Sequence, residues 1–169
     1  MTIRLEPLGV EYVPLVEAML HDPDLLRFTR VPEPVPPGFA RTWLDCYEKA
    51  RGDGSREAFA VVGGDGDFLG MAFAPEIDRE TGTAELGYVV APAARGRGVA
   101  TEALRQLTEW AFAELGMFRL ELKISVENTA SKRVAERCGY VREGVLRSLH
   151  FKQGLREDTE IWSRLATDR

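Results

Sequence analysis

Two arginines and two glycines alternate at positions 95 to 98, between a stretch that reads as a strand and one that reads as a helix. The run is Gly87-Tyr88-Val89-Val90-Ala91-Pro92-Ala93-Ala94-Arg95-Gly96-Arg97-Gly98-Val99-Ala100-Thr101. Thr83 to Val90 is rich in β-branched and aromatic residues, and Pro92 ends it because proline cannot donate to a sheet ladder. From Val99 the period changes. Val99, Ala100, Ala103, Leu104, Leu107, Trp110, Ala111 and Leu115 recur at three- and four-residue spacing, which predicts one buried face of a helix. Gly116 is the expected residue that closes it. The loop therefore lies at a helix N-terminus, where backbone N–H groups lack intrahelical partners and the dipole is positive. Glycines there admit a ligand close to the backbone, and the arginines add charge. That combination suits phosphate. Taken singly, the glycines could only turn the chain and the arginines only face water. The convergence of all parts on one strand-to-helix junction favours the anion site.

Two familiar phosphate motifs are excluded. A P-loop needs Lys-Ser/Thr after its second glycine, and Val99-Ala100 stands there. A dinucleotide fingerprint needs a third small residue three places after Gly98, where Thr101 stands, and an acidic end to the next strand. That strand, predicted over 119–126, ends in Ser125-Val126.

Arg95-Gly96-Arg97-Gly98-Val99-Ala100 resembles the Gln/Arg-x-x-Gly-x-Gly/Ala signature of the GNAT acetyltransferase superfamily, whose loop amides bind the pyrophosphate of acetyl-coenzyme A. Downstream, Asn128-Thr129-Ala130-Ser131-Lys132-Arg133-Val134 and the following Cys138-Gly139-Tyr140 resemble the family's Asn-x-x-Ser…Gly-Phe/Tyr segment. The Asn-x-x-Ser-x-Arg-Val form is most similar to the RimJ/RimL-like branch, whose members acetylate protein N-termini or small amines. The resemblance implies an acetyl-CoA-dependent N-acetyltransferase acting on a primary amine by direct transfer in a ternary complex. A non-catalytic acetyl-CoA-binding sensor or interaction module is the alternative that shares the same loop.

Amine acetylation requires that an ammonium lose a proton, that the amine attack a thioester, that an oxyanion be held and that a thiolate leave. The resemblance distributes these tasks. Glu85, mid-strand and on the face of Gly87 and Val89, is the expected base, acting directly or through water. A solvent-facing carboxylate of the sheet is the other reading. Tyr88, Val89 and Val90 would run beside pantetheine, with the Val90 amide polarising the thioester carbonyl. Arg95, Gly96, Arg97, Gly98, Val99, Ala100 and Thr101 would hold the pyrophosphate. Asn128 would bind pantetheine and Ser131 would serve the departing sulfur, although both residue types also suit the start of a helix. Many superfamily members carry a tyrosine acid four places after Ser131, and Ala135 stands there. The acceptor walls are expected at Phe28, Arg30, Trp43 and residues 147–152. Asp158 resembles a carboxylate with a structural role in that branch.

These residues need a scaffold, and the 169-residue length suits a single acetyltransferase domain over residues 1–169. The pattern predicts an α+β fold. It has a GNAT-like mixed, mainly antiparallel central sheet with helices on both faces. Helices are expected over residues 12–20, 39–50, 99–115 and 129–138, with one further turn at 25–28. Strands are expected over 3–8, 57–62, 68–74, 83–90, 119–126, 140–147 and 159–165, and the 83–90 and 119–126 strands should run parallel. Val13, Val16, Ala18 and Leu20 are candidate core residues of the first helix, and Ala130, Val134 and Cys138 of the last. Phe39, Trp43, Cys46 and Tyr47 should share a side of theirs. The proline-rich stretch from Val31 to Gly38 should shape one cleft wall.

A net charge of −5, with lysine and arginine dispersed, argues against nucleic acid as a partner. No stretch is long and apolar enough to span a bilayer, and the first residues hold no apolar signal core. Cys46 and Cys138, far apart in sequence, read as two buried thiols of a cytoplasmic protein. Two histidines, His21 and His150, leave little material for a metal cluster. The expected partners are acetyl-CoA and an amine acceptor, with a homodimer possible.

Overall fold

The computed structural model describes residues 2–168. Seven strands form one sheet: β1 (Ile3–Pro7), β2 (Glu57–Gly63), β3 (Phe68–Asp78), β4 (Thr83–Val90), β5 (Arg119–Ser125), β6 (Val141–Lys152) and β7 (Leu155–Leu165). Their spatial order is β1-β2-β3-β4-β5-β7-β6, so β1 and β6 are the edges. All neighbours pair antiparallel except β4 and β5, which pair parallel. The crossover between these two is α4 (Val99–Ala113). The mixed sheet and the parallel pair are as the sequence predicts.

Helices cover both faces because successive residues of a strand point to opposite sides. On one face α4 and α5 (Thr129–Arg137) bury Leu86, Leu104, Leu107, Leu120 and Leu122. On the other, α1 (Val13–Met19), α2 (Pro23–Phe28) and α3 (Phe39–Asp53) pack Val16, Leu25, Leu44 and Tyr47 against Ala58, Ala60 and Met71. α2 begins where it does because Pro23 occupies its first turn and the Asp22 carboxylate accepts the Leu25 N–H at 2.9 Å. Gly116, with φ +68°, follows α4 in the left-handed conformation expected of a closing glycine.

Several expectations need correction. Cys46 lies on the exposed side of α3, so only Cys138 is a buried thiol, with its Sγ 3.4 Å from the Thr101 carbonyl. Leu44 takes the inward place expected of Cys46, because it follows Ala40 by four residues and precedes Tyr47 by three. In α1 Met19 is buried and Ala18 exposed. In α5 Ala135 is buried and Ala130 exposed. The last two strands are longer than predicted and meet in a hairpin at Lys152–Leu155. Leu149 and Phe151, expected on the acceptor wall, are exposed. Exposure on that hairpin removes the alternation by which a half-buried strand is recognised.

Candidate active site

The site begins where β4 and β5 part. Their parallel pairing covers only Thr83–Glu85 against Arg119–Glu121. Beyond Glu85 the strands diverge, and β4 from Leu86 to Val90 has a neighbour on one side only, β3. The Ala91 N–H bonds back to Leu69 O on β3 at 2.9 Å. Amide directions alternate along a strand, so the Val90 and Tyr88 N–H groups turn into the gap. A carbonyl oxygen lying in the gap would meet the Val90 donor, which is the requirement for polarising a thioester.

The glycine loop closes one end of this gap. Gly98 is the N-cap of α4 with φ +82°, and Gly96 has φ +72°. A Cβ built on either meets no atom of the protein within 4 Å. These positions need glycine for backbone conformation, while the space in front of them is open to a ligand. The first amides of a fifteen-residue helix face that space. Arg95 lines the same cavity; its guanidinium is held by the Asp22 and Asp24 carboxylates, and its Nε donates to Val90 O at 3.3 Å.

Across the gap stands α5. Asn128 is its N-cap, and its Oδ1 accepts the Ser131 N–H at 3.1 Å. That hydrogen bond engages the Ser131 backbone, not its hydroxyl. The Tyr88 hydroxyl donates to Ser131 O at 3.4 Å, and burial pushes the Tyr88 phenol up to about 12, so it remains a donor at neutral pH. Glu85, Val90, Gly98, Asn128 and Ser131 all line one cavity of about 1490 Å³. Pockets for small ligands hold roughly 300–1,000 Å³, so this one has room for a cofactor arm and an acceptor together.

Glu85 faces α1 to α3, as the alternation of β4 predicts. Its side chain is 14% exposed. Lys123 of β5 donates to its Oε2 at 2.6 Å, and Arg30 approaches its Oε1 at 3.8 Å. Lys123 escaped the sequence reading because nothing in the chain links position 85 to a residue 38 places on; the parallel pairing does so. Phe28, Arg30 and Trp43 line the same cavity, as does the start of the proline-rich stretch at Val31–Glu33. The β6–β7 hairpin crosses to meet them. Lys152 Nζ bonds the Leu26 carbonyl, lies 3.4 Å from Thr29 O and pairs with Glu33 Oε1 at 2.7 Å. A bulge aims the hairpin: β6 advances four residues from Leu146 to His150 while β7 advances two. Ser148 within it has φ +55°, and its N–H donates to Asp158 Oδ1 at 2.7 Å. Among the described residues no group of three acidic, histidine or cysteine side chains could hold a metal.

The acetyltransferase (GNAT) domain model matches residues 2–141. This chain belongs to the GNAT acetyltransferase family. Acetyl transfer from acetyl-CoA to an amine, the reaction expected from the sequence, is thus the reaction of this chain. The putative ribosomal N-acetyltransferase YdaF of Bacillus subtilis is 35% identical over 101 residues, 60% of this chain and 55% of that protein. The spermidine N-acetyltransferase of Vibrio cholerae, solved with CoA and spermine, superposes with a TM-score of 0.87. It is 22% identical and covers 98% of this chain and 96% of its own. RimL, a ribosomal L7/L12 alpha-N-protein acetyltransferase solved with coenzyme A, superposes with a TM-score of 0.91. It is 19% identical and covers 100% and 97%. At those identities the two structures speak for the fold. No described helix is long and apolar enough to cross a membrane.

Proposed function

We propose that this GNAT enzyme acetylates a primary amine attached to an apolar body, by direct attack within a ternary complex. One observation carries the reading: a single cavity runs from Gly98, through the gap between β4 and β5, to Glu85 on the acceptor face. In this reading the amides of residues 95–101 hold the pyrophosphate. Tyr88, Val89, Val90 and Asn128 flank the pantetheine arm. The Val90 N–H receives the developing oxyanion, and Ser131 gives its hydroxyl proton to the departing sulfur. Glu85 meets the ammonium on the acceptor face.

The acceptor's character follows from the charges around it. Glu33, Glu85 and Asp24 line the cavity and each pairs with a cation of the chain, which leaves Glu157 as the lining carboxylate that no described ion pair engages. Spermidine carries two ammoniums beyond the one that reacts, and Glu157 alone cannot serve both. Trp43, Phe73, Leu149 and Phe151 supply apolar wall instead. A small aralkylamine, or a peptide whose first side chain is apolar, suits that surface. The reaction is placed in the cytoplasm, where free cysteines such as Cys46 and Cys138 stay reduced. A homodimer would have exposed apolar side chains to bury at Val141, Val145 and Leu146 of β6.

The test is release of free thiol from acetyl-CoA with a panel of aralkylamines, peptides with free N-termini, and spermidine. Turnover should favour the first two over spermidine by at least tenfold. Preference for spermidine would overturn the acceptor class. Tight acetyl-CoA binding without turnover of any amine would leave a binding module in place of an enzyme.

A further inference from the structure

His150 stands on β6 directly opposite Glu157 of β7, and both line the cavity. Residues directly opposite in an antiparallel pair share a sheet face. Glu157 in turn accepts the Ser125 hydroxyl at 3.2 Å. Ser125 lies two residues beyond Lys123 on β5, and Lys123 holds Glu85. Polar side chains therefore cross one face of the sheet from β4 to β6, on the side where the acceptor is expected. At the end of this row His150 Nε2 is shut off from solvent and has no hydrogen-bond partner among the described residues. Folded proteins seldom leave a buried polar atom unpaired without a use for it. Glu85, by contrast, already has Lys123 and Arg30 at its two oxygens.

We propose that His150 Nε2 is the proton acceptor for the bound amine, and so a catalytic residue on the acceptor side, while Glu85 draws the ammonium in. This rests on the acetyl-transfer reading above and adds the proton's destination. With its hydrogen on Nδ1, a neutral imidazole presents a lone pair at Nε2. As the amine binds, the His150 ring turns Nε2 to the cavity; the ammonium N–H bond breaks and the proton passes to Nε2, directly or across one water. The freed lone pair attacks the thioester carbonyl, and a C–N bond forms. As the C–S bond breaks, Ser131 gives its hydroxyl proton to sulfur, and the second amine proton passes through water to the Ser131 oxygen and restores the hydroxyl. The products are the amide, CoA thiol and an imidazolium, which returns its proton to solvent when the products leave. Of the charged groups that line the cavity with His150, Glu157 and Lys152 lie on its own hairpin, Arg30 and Glu33 on the segment that follows α2, and Glu85 and Lys123 on β4 and β5.

The experiment compares His150→Gln with Glu85→Gln, using an amine that the native enzyme acetylates and variants whose circular dichroism matches it. His150→Gln should lower kcat at pH 7 by about 10- to 100-fold. The deficit should close as pH rises toward the amine's own deprotonation, and the acidic limb of the kcat/KM profile should vanish. Glu85→Gln should raise KM and keep the limb. A second readout is independent of turnover. The chain has two histidines, so the His150 imidazole is assigned in nitrogen-15 spectra as the signal missing from His150→Gln. It should move when the amine is added to the CoA-bound protein, and His21 should not. An unchanged pH profile in His150→Gln, or an imidazole that ignores saturating amine, overturns the assignment. Failure of the native enzyme to acetylate any amine would instead defeat the acetyl-transfer reading.

Discussion

Arg95, at the start of the glycine loop, grips with its guanidinium Asp22, the residue that caps α2. The two are 73 positions apart. Their contact fastens the cofactor end of the site to the short helix from which the acceptor wall begins. The Arg95 hydrogen bond holds the Asp22 carboxyl below its usual range. The folded value is depressed, so this stabilisation is present above the unfolded pKa and is lost as pH falls through the folded one.

Breaking this contact should therefore affect both ends of the site. Asp22→Ala should cost about 0.5–2 kcal/mol through loss of the helix cap alone and should raise the acceptor KM. Arg95→Gln should also raise the acceptor KM, while CoA affinity changes by less than about threefold. A double-mutant cycle on the acceptor KM should show that the two effects are not additive. Additive effects, or a large loss of CoA affinity in Arg95→Gln, would restore Arg95 to the phosphate.

Gly98 offers a cleaner probe of the anion site. Its φ of +82° is one that asparagine tolerates better than other residues, and no protein atom lies near a built Cβ. Gly98→Asn should thus fold with a small loss in melting temperature. Calorimetry should find CoA affinity reduced at least tenfold, because the side chain fills the ligand's space. Gly98→Asp, which adds negative charge, should lose more. Equal affinities in both variants would place the pyrophosphate elsewhere.

Ser131 can be altered without disturbing the start of its helix. The cap bond joins its backbone N–H to Asn128 Oδ1, so Ser131→Ala keeps it. If the hydroxyl serves the departing sulfur, kcat should fall by about 10- to 100-fold with little change in KM. Rescue of the rate by an acetyl thioester with a more acidic thiol would confirm the step affected.

Acid stability should depend on a residue outside the site. Glu143 accepts two bonds from Arg119, at 2.9 and 2.6 Å, and one from the Ser163 hydroxyl at 2.6 Å. The Arg119 guanidinium is the larger influence, and the carboxyl is held at about 2. The folded value lies below the ordinary 4.5, so the contribution is fully present above that value and is lost as pH falls toward 2. Glu143→Gln should melt below the native protein at pH 7, and the gap should narrow as pH falls from 5 to 2.5. A gap that is constant with pH would remove the ion pair from the account.

Local chemistry made much of this protein legible in its residues. The strand ending at Pro92, the glycines at 96 and 98 and the apolar period from Val99 all state preferences of the backbone and of one helix face. Each is decided within a few residues, and the strand–loop–helix unit stands where they put it. Asn128 likewise caps α5 because the donor that it satisfies is three residues away. Contacts that join distant segments carry no such local mark. Lys123 at Glu85, Asp22 at Arg95 and the hairpin's Lys152 over α2 each follow from how the strands pair and the layers close. The exposure of Leu149 and Phe151 belongs to the same class, since a bulge and a hairpin tip reaching across the cleft hold them away from the core. The anion loop was thus written into adjacent residues, while the charges that meet the amine were set by tertiary structure, because ion pairs form between side chains that only the folded sheet brings within reach.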